Sequence, residues 1–257
     1  METDVQLLEG HISIEAVLEA RSRPIHKIVI QQDKAQASRI KRQQRQRHLT
    51  HIEQMAASQG IPLHFAPAAE IDAQVNGQSH GGMIAVVGPR HFVSLGDLLQ
   101  NRECPFVVML DGIEDPFNFG QAVRTLYAAG ATGVVVRPRN WMTAAGVVAR
   151  SSAGASERIA TAVAEDAETA ADFFRQHGLQ IACTGQEGAT SLYVTDLTQP
   201  LFLLLGGEKR GITRSFMRKA DLIIEIPYGR DYRYALGAAA AAAIIGFEVM
   251  RQRLEQL

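Results

Sequence analysis

Apolar positions along the chain recur with two periods, and the changes between them mark out elements. Residues 5–20 read as a helix, with Ile14, Val17 and Leu18 at helical spacing, Glu9-Gly10-His11 as a start signal and Pro24 beyond its end. Residues 25–30 read as a strand, and residues 35–58 as a helix with Leu49, Ile52 and Met55 on one face. A strand at 61–65 follows, then the Asn76-Gly77 turn and a strand at 80–87 that Gly88-Pro89 ends. The order α-β-α-β predicts a small layered α/β domain.

From Cys104 onward the alternation is regular. Strands are expected at 106–110, 133–136, 158–163, 179–183, 201–205 and 221–226, and helices at 120–129, 143–150, 167–177, 213–220 and 236–252. Near-continuous apolar runs such as Phe106-Val-Val-Met-Leu110 suit strands buried on both faces. The expected architecture is therefore an α/β domain with a mainly parallel sheet covered by helices. The break between Gly88 and Cys104 divides the chain into domains 1–98 and 99–257. Sheets of this kind place ligands at the carboxyl ends of their strands.

Composition narrows the classes. With 46% hydrophobic and 21% charged residues in 257, the chain is globular, which excludes wholesale disorder and fibrous architecture. A formal net charge of −1 means that any nucleic-acid contact rests on local basic patches. Cys104 and Cys183 stand alone, which fits a reducing compartment and provides neither a disulfide framework nor a zinc cluster. Acids follow Met1 where a signal peptide carries Lys or Arg, and the uncharged stretch from Ala235 to Phe247 is too short to span a bilayer. The expectation is a cytoplasmic protein with no membrane association.

One basic run stands out. Lys34, Arg39, Lys41, Arg42, Arg45 and Arg47 occur with no acid among them, which suits either phosphate contact or a solvated helix face. His48 and His51 share a helical turn, but no second pair of ligands accompanies them, so no metal is expected.

Three strand ends carry the remaining candidates. After 106–110 comes Asp111-Gly-Ile-Glu-Asp-Pro-Phe-Asn-Phe-Gly120, where Asn118 suits a helix cap. Arg124 beyond it suits either a surface charge or a clamp for a phosphate or oxyanion. After 201–205 comes Gly206-Gly-Glu-Lys-Arg-Gly211, which matches neither a P-loop nor a dinucleotide fingerprint. Its glycines still allow a close backbone approach beside the Glu208 carboxylate. After 221–226 comes a loop in which Arg230 and Arg233 interleave with Tyr228, Tyr232 and Tyr234, a composition suited to phosphate contact and base stacking or to an ordinary polar loop. The helix that follows is rich in Ala and suits close packing.

Together these blocks resemble the SpoU-type branch of the SPOUT superfamily, RNA ribose 2′-O-methyltransferases. Asn118, Gly120 and Arg124 fall in the leading N-x-G-x-x-x-R motif, and Gly206-Gly-Glu208 with Ile226-Pro227 in the second. Gly10-His11, residues 16–20 and His80-Gly-Gly-Met-Ile-Ala85 are similar to the small substrate-binding domain that precedes many of these enzymes. The third motif departs from the pattern: Ala235-Leu236-Gly237 stands where the family has Ser-Leu-Asn.

The resemblance implies a trefoil knot, a homodimer, an rRNA or tRNA substrate, and S-adenosyl-L-methionine held by Gly206, Ile226 and Leu236. It also implies that Arg124 acts at the reacting ribose while Asn118 and Glu208 orient the loops, with RNA captured by the basic run at 34–47. Two competing readings accompany it: a catalytically weak or inactive RNA-binding protein with the same fold, motivated by Ala235 and Gly237, and an RNA base methyltransferase.

Overall fold

The computed structural model describes residues 5–32, 39–75, 80–100, 102–138, 144–207 and 211–256, except for the side chains of 39–45. The chain forms two compact units, Met1–His91 with Trp141–Arg158, and Phe92–Asn140 with Ile159–Leu257.

The first unit contains β1 (Gln6–Glu9), α1 (His11–Ala20), β2 (Ile25–Gln31), α2 (Arg39–Ser58), β3 (Leu63–Ala66), α3 (Ala68–Asp72) and β4 (Met83–Val87). Its four-stranded sheet has the order β1-β4-β2-β3, with β2 and β3 parallel and the other pairs antiparallel. Residues 6–9 are therefore a strand and not the start of the helix. Pairing with β4 overrides the helical spacing, and Gly10, at a φ of 80°, turns the chain from β1 into α1. Ile52 of α2 is fully buried with Leu49 and Met55 packed beside it, the face expected from the pattern.

The helices at residues 145–158 also pack in this unit. They are α5 (Ala145–Ser151) and α6 (Ala155–Arg158), which follow α4 (Pro116–Ala128) in the chain. Ala145 and Ala149 complete the core of Leu8, Ile14, Val17 and Leu18, and a side chain at Gly146 would meet the Leu7 carbonyl at 2.7 Å. Glu157, 3% exposed, receives Arg23 through two hydrogen bonds of 3.0 Å, together with the Ser22 hydroxyl and the Arg90 guanidinium. A buried carboxylate is tolerated where cations and donors meet it in this way. Arg158, expected in a strand, ends α6 and pairs with Glu19 at 2.6 Å.

The second unit contains β5 (Phe106–Asp111), α4 (Pro116–Ala128), β6 (Gly133–Val136), β7 (Thr161–Val163), α7 (Ala167–Gln176), β8 (Gln180–Thr184), β9 (Thr190–Ser191), β10 (Leu201–Gly206), α8 (Arg214–Lys219), β11 (Leu222–Glu225) and α9 (Ala238–Leu254). Its seven strands, in the order β7-β6-β5-β10-β8-β11-β9, are parallel in every pair. Central β5 and β10 are apolar and buried along nearly their whole length, as a parallel sheet covered on both faces requires.

Helix α9 packs on α4 through small residues: a Cβ at Gly246 would lie 3.2 Å from that of Ala129. The far end of α9 is tied to the strand-entry edge, where Arg253 donates to the carbonyls of Cys104 (2.8 Å) and Gln199 (2.7 Å). No helix among the described residues is long and apolar enough to cross a membrane.

Helix α7 starts at Asp166, whose carboxylate accepts the Thr169 N–H at 2.7 Å. That bond is the main reason its pKa lies below the ordinary carboxylate value. Because the folded value is the lower one, the stabilisation is present above the unfolded pKa and fades as the pH falls through the folded one. Asp166→Ala should therefore cost about 1 kcal/mol at neutral pH. Denaturant titrations at a series of pH values should show the gap to the native chain narrowing below the ordinary carboxylate range.

Candidate active site

Parallel pairing brings the carboxyl ends of β5, β10, β8 and β11 to one edge of the sheet. Asp111 and Gly206 are register partners at the ends of β5 and β10. Beyond them the two loops touch backbone to backbone: a Cβ built on Gly207 would lie 1.9 Å from the Gly112 carbonyl oxygen. Gly112 has a φ of 79°, in the left-handed region that favours glycine, so both sides of the contact depend on a missing side chain. At Gly206 a Cβ would meet Ile212 Cγ1 at 2.9 Å, where Ile212 folds back beside the strand end.

Past Gly112, the buried Ile113 anchors the loop and Asp115 caps α4 by accepting the Phe117 N–H at 3.1 Å, with Pro116 as the first helical residue. The cap expected of Asn118 thus belongs to Asp115, and Asn118 lies in the first turn. Asp115 takes that place because its carboxylate precedes a proline already preset for helix entry. Phe119, Ala122, Val123 and Leu126 form the buried face of α4, while Phe117, Arg124 and Tyr127 are exposed. Six residues of helix set Asn118 and Arg124 about 120° apart around the axis, on different faces. Arg124 pairs with no carboxylate among the described residues.

Sequence reasoning missed Arg137, which follows β6 and donates to the Asp111 carboxylate at 2.7 Å, clamping two adjacent strand ends. Its signal was present, since it is the charged residue that ends the apolar run Gly133–Val136.

At the end of β11, Ile226 is half-buried and the loop to α9 closes on itself. The Tyr228 hydroxyl accepts the Leu236 N–H at 3.0 Å and donates to the Tyr234 carbonyl at 3.2 Å. Leu236 therefore belongs to the loop and not to the helix, which starts at Ala238 after an extended Gly237 that supplies no side-chain cap. Gly206 ends β10 and Ile226 follows β11, on either side of β8, with the two strands two spacings apart, or about 10 Å. On β8, level with Leu204 and Ile223 and so short of that edge, lies Cys183, whose thiol burial pushes up to about 11, so it stays protonated near neutrality and offers neither a base nor a nucleophile.

Residues 105–247 match the model of the SpoU rRNA Methylase family, and residues 7–93 match that for RNA 2′-O ribose methyltransferase substrate binding. The chain belongs to the SpoU family. It is 32% identical over 203 residues to the 23S rRNA (guanosine-2′-O-)-methyltransferase RlmB of Pseudomonas putida, covering 77% of this chain and 81% of that protein. In fold it resembles the SpoU methyltransferase AviRb from Streptomyces viridochromogenes in complex with AdoMet, at a TM-score of 0.76, 21% identity, and coverage of 98% of this chain and 92% of that one. It likewise resembles an AdoMet-bound rRNA methyltransferase from Sinorhizobium meliloti, at a TM-score of 0.74, 22% identity, and coverage of 96% and 87%.

In this SpoU-family chain the sheet gathers Asp111, Gly206 and Ile226 at one edge and leaves Arg124 on the outer face of α4. Glu208 and Lys34 lie outside the described residues. Arg39, Lys41, Arg42, Arg45 and Arg47 all fall within α2, and Arg47 is exposed. The histidines next along α2 are engaged by acids of α1, His48 with Glu15 at 2.8 Å and His51 with Glu19 at 3.7 Å.

The glycine contact yields a test. Gly207→Ala places a carbon inside a backbone carbonyl and should cost about 1–3 kcal/mol or more, as overpacking does. Gly206→Ala should cost less, since its Cβ would meet Ile212 at 2.9 Å on a side-chain carbon and at 3.3 Å on the backbone N, a looser contact than 1.9 Å. Denaturant titration of both variants checks the order.

Proposed function

We propose that this protein is a cytoplasmic, homodimeric methyltransferase that modifies a ribose 2′-hydroxyl of rRNA or tRNA with S-adenosyl-L-methionine. One observation carries the reading: the leading family motif and the glycine turn emerge side by side from β5 and β10, in backbone contact through Gly112 and Gly207. In this reading residues 1–98 capture the RNA and residues 99–257 hold the catalytic machinery, threaded as the family's trefoil knot. The parallel register of β8 with both β10 and β11 suits that threading.

The strand ends fit the cofactor. Gly206 and Gly207 let the strand-end backbones close up on Ile212 and Gly112, Ile226 and Leu236 supply half-buried apolar walls, and the Leu236 N–H is held by a hydroxyl of its own loop. Bound there, the cofactor supplies an electrophilic methyl group on a sulfonium.

The chain's own residues supply position and charge. A guanidinium is in general a poor base and a good donor. The fork of donors that Arg124 carries suits the phosphate next to the target and the negative charge that grows on the ribose oxygen. The exposed guanidinium of Arg124 on α4, with no carboxylate partner among the described residues, suits a site completed by a second protomer, and α4 and α9 together leave Phe117, Tyr127 and Phe247 exposed for such a partner. Asn118 and Glu208 orient the loops. Capture of RNA falls to Lys34, Arg39, Lys41, Arg42, Arg45 and Arg47.

A second reading, an RNA-binding protein with little or no transferase activity, is favoured by Ala235 and by Gly237, which leaves the start of α9 without a side-chain cap. Arg124→Ala should abolish methyl transfer to ribosomal and transfer RNA, read by nucleoside mass spectrometry, while calorimetry shows the affinity for S-adenosyl-L-methionine nearly intact. Full activity in that variant refutes the assignment, binding without transfer in the native chain supports the second reading, and a methylated base redirects the chemistry away from ribose. Reversing charge at Arg42 and Arg45 to Glu should weaken RNA binding and flatten its dependence on salt, measured by titration at several ionic strengths.

A further inference from the structure

The loop between β11 and α9 carries an aromatic group that the methylation chemistry does not use. Tyr232 and Tyr234 are 58% and 57% exposed, in a stretch where large apolar rings ordinarily find cover. Their ring centroids lie 5.5 Å apart with the planes tilted by 58°, and the Tyr228 ring stands 6.2 Å from that of Tyr232. Arg233 lies over the Tyr234 ring at 5.1 Å and donates to its hydroxyl at 3.0 Å, so a cation is fixed beside the ring pair. Arg230 adds a second positive charge, and Asp231 is the one acid between Ile226 and Gly237.

The loop is also braced. Through its two hydrogen bonds, the Tyr228 hydroxyl holds both the backbone that carries Tyr234 and that of Leu236, so the rings are presented with part of their ordering cost already met.

Exposed rings flanked by guanidinium groups on a braced loop match the requirements of an unpaired nucleotide, which offers a π-face to stack and a phosphate to neutralise. A base inside a continuous duplex offers no free face. We propose that Tyr232 and Tyr234, with Arg230 and Arg233, form a stacking site for an unpaired nucleobase of the RNA substrate. The proposal deepens the reading of the chain as an RNA methyltransferase: because Tyr228 ties the same loop to Leu236, the stacked base is set next to the cofactor-binding edge, and the substrate is a looped or single-stranded segment.

The test uses the full chain and two labelled RNA probes of one sequence, single-stranded and perfectly paired, with affinities read by fluorescence anisotropy in the absence of cofactor. The double variant Tyr232→Ala/Tyr234→Ala should bind the single strand at least fivefold more weakly, the low end of the effect of losing one stacked base. Its affinity for the duplex and, by calorimetry, for S-adenosyl-L-methionine should be unchanged. Tyr232→Phe/Tyr234→Phe, which keeps the rings, should retain the native preference for the single strand. An unchanged single-strand affinity in the alanine variant, an equal loss on both probes, or a change of oligomeric state in ultracentrifugation overturns the proposal. Methyl transfer is scored separately, so a native chain that transfers no methyl group yet shows the expected ring dependence defeats the enzymatic reading alone.

Discussion

At the ends of β5 and β10 two peptide backbones meet with no side chain between them, and the geometry of the candidate site descends from that meeting. Parallel strands in register emerge on the same edge, but ordinary residues would hold their outgoing loops apart. Gly112 accepts the positive φ that turns the first loop, and Gly207 lets the second come up against it. The Asp111–Arg137 ion pair then fixes the neighbouring end of β6, and Asp115 sets the direction of α4, so the residues from 111 to 124 follow from one close approach and two short polar contacts. The chemistry of the edge is consistent with this. It offers backbone groups, apolar walls and guanidinium charge, and the Cys183 thiol on the intervening strand is kept protonated by burial.

Much of the fold was readable because burial on both faces leaves a strong trace. Runs such as Phe106–Asp111 and Leu201–Gly206 have few other places to go in a protein of this size, and their alternation with helices led directly to a parallel sheet. What the pattern hid were short elements whose identity is tertiary. The four residues of β1 are a strand because β4 lies beside them, and Arg158 is helical because Glu157 and its own pairing with Glu19 hold it in place. Local spacing carries no record of a partner more than seventy residues away.

The site was legible in a different way. Its glycines, Arg124 and the Ile226-Pro227 step could be found as motif positions, yet their geometry could not. Asn118 and Asp115 are both good caps by residue type, and only the helix start decides between them. Likewise the run from Leu236 into the Ala-rich stretch reads as uninterrupted helix, whereas the Tyr228 hydroxyl captures the Leu236 N–H and keeps that residue in the loop. Arg137 escaped notice because a single charge after a strand is common, and its carboxylate partner is distant in sequence.

The helices of residues 145–158 fill the core of the unit formed by the leading segment, through Ala145, Ala149 and the buried Glu157, although the strands on either side of them in sequence belong to the parallel sheet. The amino-terminal unit is consequently not a detachable module. A fragment ending at His91 would lack part of its own interior, and recombination between relatives that exchanged only that stretch would marry one lineage's strand to another's helix. A change to the interior of the amino-terminal unit therefore meets its packing partners in the middle of the gene as well as at the start.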